Sequence, residues 1–198
     1  VKRRTASRRR GEELEQAILD AVWAEFSEVG FAKLTMEGVA KRAGTSKPVL
    51  YRRWSSRVEM LISCIASRIP KADAVPDTGS LRGDMVALLT VARERMTLIG
   101  QTAMLGMLAE VSKDPDVREV LLGGLASELV NLLYQVVYRR AIDRGELAEE
   151  HLTPRLLRLP TDLGRSEFLL FGTISDEAID SIVDEVILPA LRARGAAV

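Results

Sequence analysis

The chain has 198 residues, 47% hydrophobic and 28% charged, a balance that fits a globular protein of one or two domains and excludes a disordered one. No apolar run approaches the roughly 20 residues that span a bilayer, nothing at the N-terminus reads as a secretion signal, and a single cysteine, Cys64, excludes an intramolecular disulfide, so a cytoplasmic protein without a membrane segment is expected. Basic and acidic residues balance at 28 each, but residues 1–60 hold thirteen basic against eight acidic and the remainder fifteen against twenty, the pattern of a basic face for a polyanion on a body that does not attract one.

Residues 1–11 (VKRRTASRRRG) carry six basic residues and no acid. They read either as a solvated terminus or as an arm that follows phosphates beside a main contact. From Glu12 the pattern is helical, with Leu14, Ile18, Ala21, Val22 and Phe26 on one face. Gly30 stops this helix, and Phe31 and Leu34 follow as core plugs. Thr35 is placed to cap a second helix over Met36 to Ala43, and Gly44 to end it. Ser46 opens a third, in which Pro48 fits only in the first turn. A fourth follows Ser55-Ser56, with Val58, Leu61, Ile62 and Ile65 along its stripe.

Residues 70–79 (PKADAVPDTG) form the first clear loop. Beyond it, Leu81, Met85, Leu88, Leu89, Ala92, Met96 and Ile99 make one stripe, ending at Gly100. Met104, Leu105, Leu108 and Val111 make another, ending near Asp114-Pro115. Val117, Val120, Leu121, Leu125, Leu129, Leu132, Leu133, Val136 and Val137 make a third, running to about Arg144. A helix after Pro160 carries Leu163, Phe168, Leu169, Leu170 and Phe171. Ile179, Ile182, Val183, Val186, Ile187 and Leu191 define the last, where Pro189 either kinks the helix or marks where it bends around its neighbour. No alternating runs with hairpin turns occur, so the fold class is all-α, with about nine helices.

The segment 35–57 (TMEGVAKRAGTSKPVLYRRWSSR) carries the function. A short helix with Val39, Ala40 and Ala43 inward, a glycine turn and a second short helix anchored by Leu50 is the logic of a helix-turn-helix. Ala40 and Ala43 let the two helices approach closely. The second helix turns Lys47, Val49, Tyr51, Arg52 and Arg53 outward. Ser46 and Tyr51 suit phosphates, Lys47 or Arg52 a guanine edge, Pro48 and Val49 thymine methyls, and Arg57 a further phosphate. Trp54 reads as a plug at the next helix junction. A solvated basic face is the bland alternative for the arginines.

At this point ILDAVWAEFSEVGFAKLTMEGVAKRAGTSKPVLYRRWSSRVEMLI closely resembles the DNA-binding domain of TetR-family regulators. The match runs over residues 14–62, through Ile18-Leu19, Phe26, Gly30-Phe31, Thr35, Val39-Ala40, Ala43-Gly44, Ser46, Leu50-Tyr51 and Trp54, which stands where Phe is usual. Glu25 replaces a common Leu, and Gly38 is unusual inside a helix. The resemblance implies contacts to duplex DNA by Thr35, Ser46, Lys47, Pro48, Val49, Tyr51, Arg52, Arg53 and Arg57, and a homodimer through the last two helices. The expected organisation has three parts: a basic arm over 1–11, a three-helix DNA-binding domain over 12–57, and a helical bundle over 58–198 for ligand binding and dimerisation. Two apolar terminal helices, more than one small core needs, support the dimer independently. A two-fold dimer reads a pseudo-palindromic operator.

In the second half, Met85, Met96, Met104 and Met107 cluster on the helices that the same resemblance implies surround an effector cavity, with Tyr134, Tyr138 and Phe168 as further walls; at each position an ordinary core residue is the competing reading. His151 reads as exposed loop, with no second ligand spaced for a metal. No cofactor is expected. Gly-rich phosphate loops, G-x-S-x-G turns and H-E-x-x-H helices are absent, so an enzyme is not expected. The reading is a bacterial repressor released from DNA by a small, largely apolar ligand. Its alternative is a helical regulator or interaction module with no small-molecule inducer.

Overall fold

A computed structural model describes residues 11–68, 75–111, 118–119 and 126–197. Among the described residues every regular element is helical. The chain divides into two compact units, Val1–Ser67 and Arg68–Val198.

The first unit is built from α1 (Glu12–Lys33), α2 (Met36–Ala43), α3 (Lys47–Tyr51) and α4 (Arg57–Ala66). Glu12, Glu13 and Glu15 sit in the first turn of α1, where carboxylates complement the helix dipole. Ile18, Leu19, Val22 and Phe26 are buried, while Leu14 is only half-buried. Gly30 breaks the helical geometry at φ 72°, and one further turn brings Phe31 and Leu34 into the core. The described part of the expected basic arm is Gly11 alone; the rest lies outside the described residues.

The unit closes after Ser67 rather than at the expected boundary after residue 57, because α4 packs against α1. Met60, Leu61, Cys64 and Ile65 are buried, and the Cys64 thiol donates to the carbonyl of Leu19 at 3.3 Å. Ser56 caps α4 by accepting from the Glu59 amide at 3.1 Å, and the Glu59 carboxylate accepts in return from the amide of Ser55.

The second unit opens with α5 (Leu81–Ile99), capped by Ser80 and ended by Gly100, and continues with α6 (Gln101–Val111). α7 (Ala126–Leu133) runs through a π-helical turn, Tyr134–Tyr138, into α8 (Arg139–Asp143). The wider turn lets three consecutive residues, Val136, Val137 and Tyr138, all face the core. α9 (Pro154–Phe171) follows, then α10 (Asp176–Ser181), whose π-helical continuation Ile182–Ile187 leads into α11 (Leu188–Arg192). Pro189 lies in the first turn after that π segment, where its missing N–H is least costly.

Other departures are local. α9 begins at Pro154, not after Pro160, because Thr153 caps it on the Leu156 amide and Pro160 is accommodated inside. On α6, Met107 is buried and the expected stripe residues Leu105 and Leu108 are exposed. The expected end of that helix near Asp114-Pro115, and Val117, Val120, Leu121 and Leu125, lie outside the described residues. Among the described residues one charged side chain is fully buried: Asp84 accepts from the amide and hydroxyl of Thr78 and from Arg144 at 2.9 Å. Arg144 also reaches Glu146, whose carboxylate accepts from the Leu81 amide at 2.7 Å. This satisfied network ties the start of α5 to the turn after α8.

Candidate nucleic-acid interface

α3 has only five residues, about 8 Å, too short to hold its shape without tertiary support. Leu50, fully buried, and Trp54, 5% exposed, anchor its inner side. Gly44, left-handed at φ 65°, and the Thr45 amide bonded to the Ala40 carbonyl at 3.0 Å set the angle between α2 and α3. The outer side shows Ser46, Lys47, Pro48, Tyr51 and Arg52 exposed, with Val49 and Arg53 half-buried. Tyr51 is 54% exposed, so its ring is not a core aromatic.

The nine expected contact residues fall into two groups. Ser46 stands at the start of α3, yet its hydroxyl makes no capping bond and remains available. Among the described residues the Arg52 guanidinium has no hydrogen-bond or ion-pair partner, and only its backbone amide is engaged, by the Pro48 carbonyl at 3.2 Å. Lys47 reaches across to Glu37 on α2, Nζ to Oε2 2.6 Å, and Arg53 lies 3.9 Å from Glu15. This contact holds the Glu37 carboxyl below the usual carboxylate range and raises the Lys47 ammonium above its own.

Thr35 and Arg57 are occupied within the fold. The Thr35 hydroxyl accepts from the Gly38 amide at 3.0 Å. Arg57 folds back over the Phe31 ring, 4.8 Å from its centroid, and donates to the carbonyls of Phe31, Ala32 and Leu34 at 3.2–3.5 Å. Its charge thus closes the C-terminal end of α1, a favourable place for a cation. Sequence reasoning missed this role because only a folded α1 puts those carbonyls within reach. It also missed Arg42, which bridges α2 to Glu25, at 2.8 Å, and to Glu28 on α1.

In the second unit the expected effector residues belong to, or line, one core. Met85, Tyr138 and Phe168 are fully buried members, and Met96, Met104 and Tyr134 pack against it half-buried. Met107 is buried as well. The Tyr138 hydroxyl donates to the Leu156 carbonyl at 3.0 Å, and burial pushes its phenol well above the ordinary value. Tyr134 donates to Glu149 at 3.1 Å. His151 is half-buried rather than exposed, its Nδ1 accepting from the Ala148 amide at 3.1 Å. An open groove between α5 and the start of α10, lined by Arg93, Leu98, Ile174 and Asp176 among others, includes none of the seven expected residues. Among the described residues no helix is long and apolar enough to cross a membrane.

Comparison with known proteins gives matches in both units. Residues 18–64 match the family model of bacterial regulatory proteins of the tetR family, and residues 75–186 match that of the tetracyclin repressor-like C-terminal domain. The HTH-type transcriptional regulator Rv1556 of Mycobacterium tuberculosis is 30% identical over 186 residues, 89% of this chain and 87% of that protein. The DNA-binding transcriptional repressor TetR of Mycobacteroides abscessus is 26% identical over 184 residues, 92% of this chain and 96% of the relative. Among solved structures, the TetR family transcription regulator SCO0332 superposes with a TM-score of 0.71 at 22% identity, covering 89% of this chain and 97% of that one.

Proposed function

Because the chain belongs to the TetR family of helix-turn-helix transcriptional regulators, DNA-binding proteins and not enzymes, we propose that it is a cytoplasmic repressor that holds a pseudo-palindromic operator as a homodimer. The observation that carries this reading is the outer side of α3: Ser46, Lys47, Pro48, Tyr51 and Arg52 exposed on a helix pinned from behind by Leu50 and Trp54. A rigid helix with exposed cations and hydroxyls is what the major groove accepts. Ser46 and Tyr51 take phosphates, Arg52 a base edge, and Pro48 and Val49 thymine methyls. Thr35 and Arg57 act by placing α2 and the end of α1.

The test is duplex selection from a random library with the purified full chain, followed by binding across a salt series. About six phosphate contacts make affinity fall roughly 10³-fold between 50 and 200 mM salt. Replacing Lys47, Arg52 and Arg53 together with neutral residues abolishes selection. Undiminished binding by that triple variant removes α3 as the reader.

Dimerisation runs through α9 and the α10–α11 helix, where Leu170 and Phe171, each 69% exposed, and Val186 face solvent. A small, largely apolar ligand in the second unit releases DNA, with a coupling of about 1–3 kcal/mol. Half-buried Met96 and Met104 on the margin of the core support such a ligand. One observation favours the other reading, a regulator without an inducer: Met85, Tyr138 and Phe168 are fully packed, and the Tyr138 hydroxyl is spent inside the fold.

A further inference from the structure

Lys47 is the first residue of α3 and Glu37 the second of α2, so their ion pair spans the two helices of the motif. Both side chains are exposed, at 48% and 76%, so no packing forces the contact. Both are placed by their helix starts. Thr35 caps α2, and Pro48 stiffens the first turn of α3. Tyr51, one turn along α3, is the other titratable group near the ammonium. The Arg52 side chain, by contrast, has no partner among the described residues.

A paired cation serves DNA binding differently from a free one. A free lysine that meets a phosphate releases a condensed counterion, and the gain is independent of sequence. Lys47 must first leave Glu37, and the abandoned carboxylate then takes up a cation or repels the nearby phosphates. Its net ion release on random DNA is therefore small. The exchange is rewarded only where a base edge or a fitted phosphate holds Lys47 better than Glu37 does.

We propose that Glu37 is a specificity-determining residue, restraining Lys47 from sequence-independent phosphate binding and so widening the gap between operator and random DNA. The inference rests on the reading of α3 as the DNA-contacting helix. The carboxyl, held below its ordinary range by Lys47, stays ionised at neutral pH, so the restraint operates there.

The experiment uses the full chain as wild type, Glu37→Gln, Lys47→Met and the double variant, with far-UV circular dichroism to check that each folds. Each is titrated with a random-sequence duplex and with the selected operator at several salt concentrations. Glu37→Gln is expected to steepen the salt slope on random duplex by about one ion, and to tighten that binding roughly threefold or more at low salt. Operator affinity rises less, so the specificity ratio falls. Lys47→Met costs more random-duplex affinity in the Glu37→Gln background than in the wild type. An unchanged slope and ratio overturn the proposal, as does a gain that survives in the double variant, which reports mere loss of a negative charge. Failure of the wild type to bind any duplex at low salt overturns the assignment of α3 itself. Binding wild type with indifferent variants overturns only the role of Glu37.

Discussion

The Tyr138 hydroxyl donates to the carbonyl of Leu156, the acceptor that an α-helix would give to the amide of residue 160, where Pro160 has none. A proline inside a helix removes one backbone bond and pushes against the carbonyl four residues earlier. Here that carbonyl is buried, and a side chain from the neighbouring helix takes the place of the missing amide. Tyr138 is thereby a structural partner of α9, and the π-helical turn that carries it is what turns it inward beside Val136 and Val137.

Tyr138→Phe keeps the ring and removes the donor, so it leaves a buried acceptor unsatisfied and is expected to cost about 1–3 kcal/mol in denaturant unfolding. In a Pro160→Ala background the new amide at residue 160 can serve Leu156. The Tyr138→Phe cost is then expected to drop by about 1 kcal/mol. Equal costs in both backgrounds mean that the hydroxyl does not replace the proline's missing bond.

Gly38 and Glu25, the two unusual residues of the DNA-binding unit, form one feature. A Cβ on Gly38 would run into the Glu25 carboxylate, with Cδ at 3.1 Å, and would crowd the capping hydroxyl of Thr35 at 3.2 Å. The bare glycine leaves room for Glu25 to reach Arg42 and clamp α1 to α2. Gly38→Ala alone is expected to be nearly neutral, its helix propensity gain of up to about 1 kcal/mol offset by the displaced ion pair. With Glu25→Ala already present, the same substitution is expected to stabilise by roughly 0.5–1 kcal/mol. Thermal unfolding of the four proteins decides it: identical effects in both backgrounds would show the residues to be independent.

The parts of the fold legible in the sequence are those punctuated locally. Thr35 and Gly44 bound α2, Gly100 ends α5, and Ser56 opens α4, because caps and positive-φ glycines act within a few residues of the helix they end. The outward set on α3 was legible for the same reason: Leu50 and Trp54 fix which way the short helix faces. What depends on distant partners was not. Pro160 reads as a helix start until Tyr138 supplies its acceptor with a donor. The three carbonyls at the end of α1 that Arg57 reaches lie far from it in sequence and give no local signal. On α6 the apolar residues surround the helix, so periodicity alone could not choose Met107 over Leu105 and Leu108 as the buried member.

The exposed apolar pair at the end of α9 gives a prediction about assembly. Leu170 and Phe171 together present more apolar surface than a solvated helix end needs. Replacing both with Glu is expected to weaken a two-fold dimer by about 2 kcal/mol or more per subunit, since the patch recurs on each partner. Sedimentation velocity reads the change as a shift toward monomer. A dimer of undiminished strength would place the interface elsewhere.

Arg82, in the first turn of α5, grips the final helix: its Nε and Nη2 meet the two carboxylate oxygens of Asp184 at 2.8 and 2.7 Å, and Nη2 also meets Asp180 at 2.7 Å. The two-pronged contact holds the Asp184 carboxyl below its ordinary value of 3.8. A carboxylate more acidic in the folded chain than in the unfolded one stabilises the fold above its unfolded pKa, and that contribution disappears as pH falls through the folded value. Wild type is therefore expected to be more stable than Arg82→Gln at neutral pH, with the difference shrinking below about pH 4. Carboxyl NMR titration is expected to show Asp184 moving back up toward 3.8 in the variant. A stability difference that stays constant through the acid range, or an Asp184 that titrates alike in both proteins, would mean that Arg82 acts through packing of its stem and not through its charge.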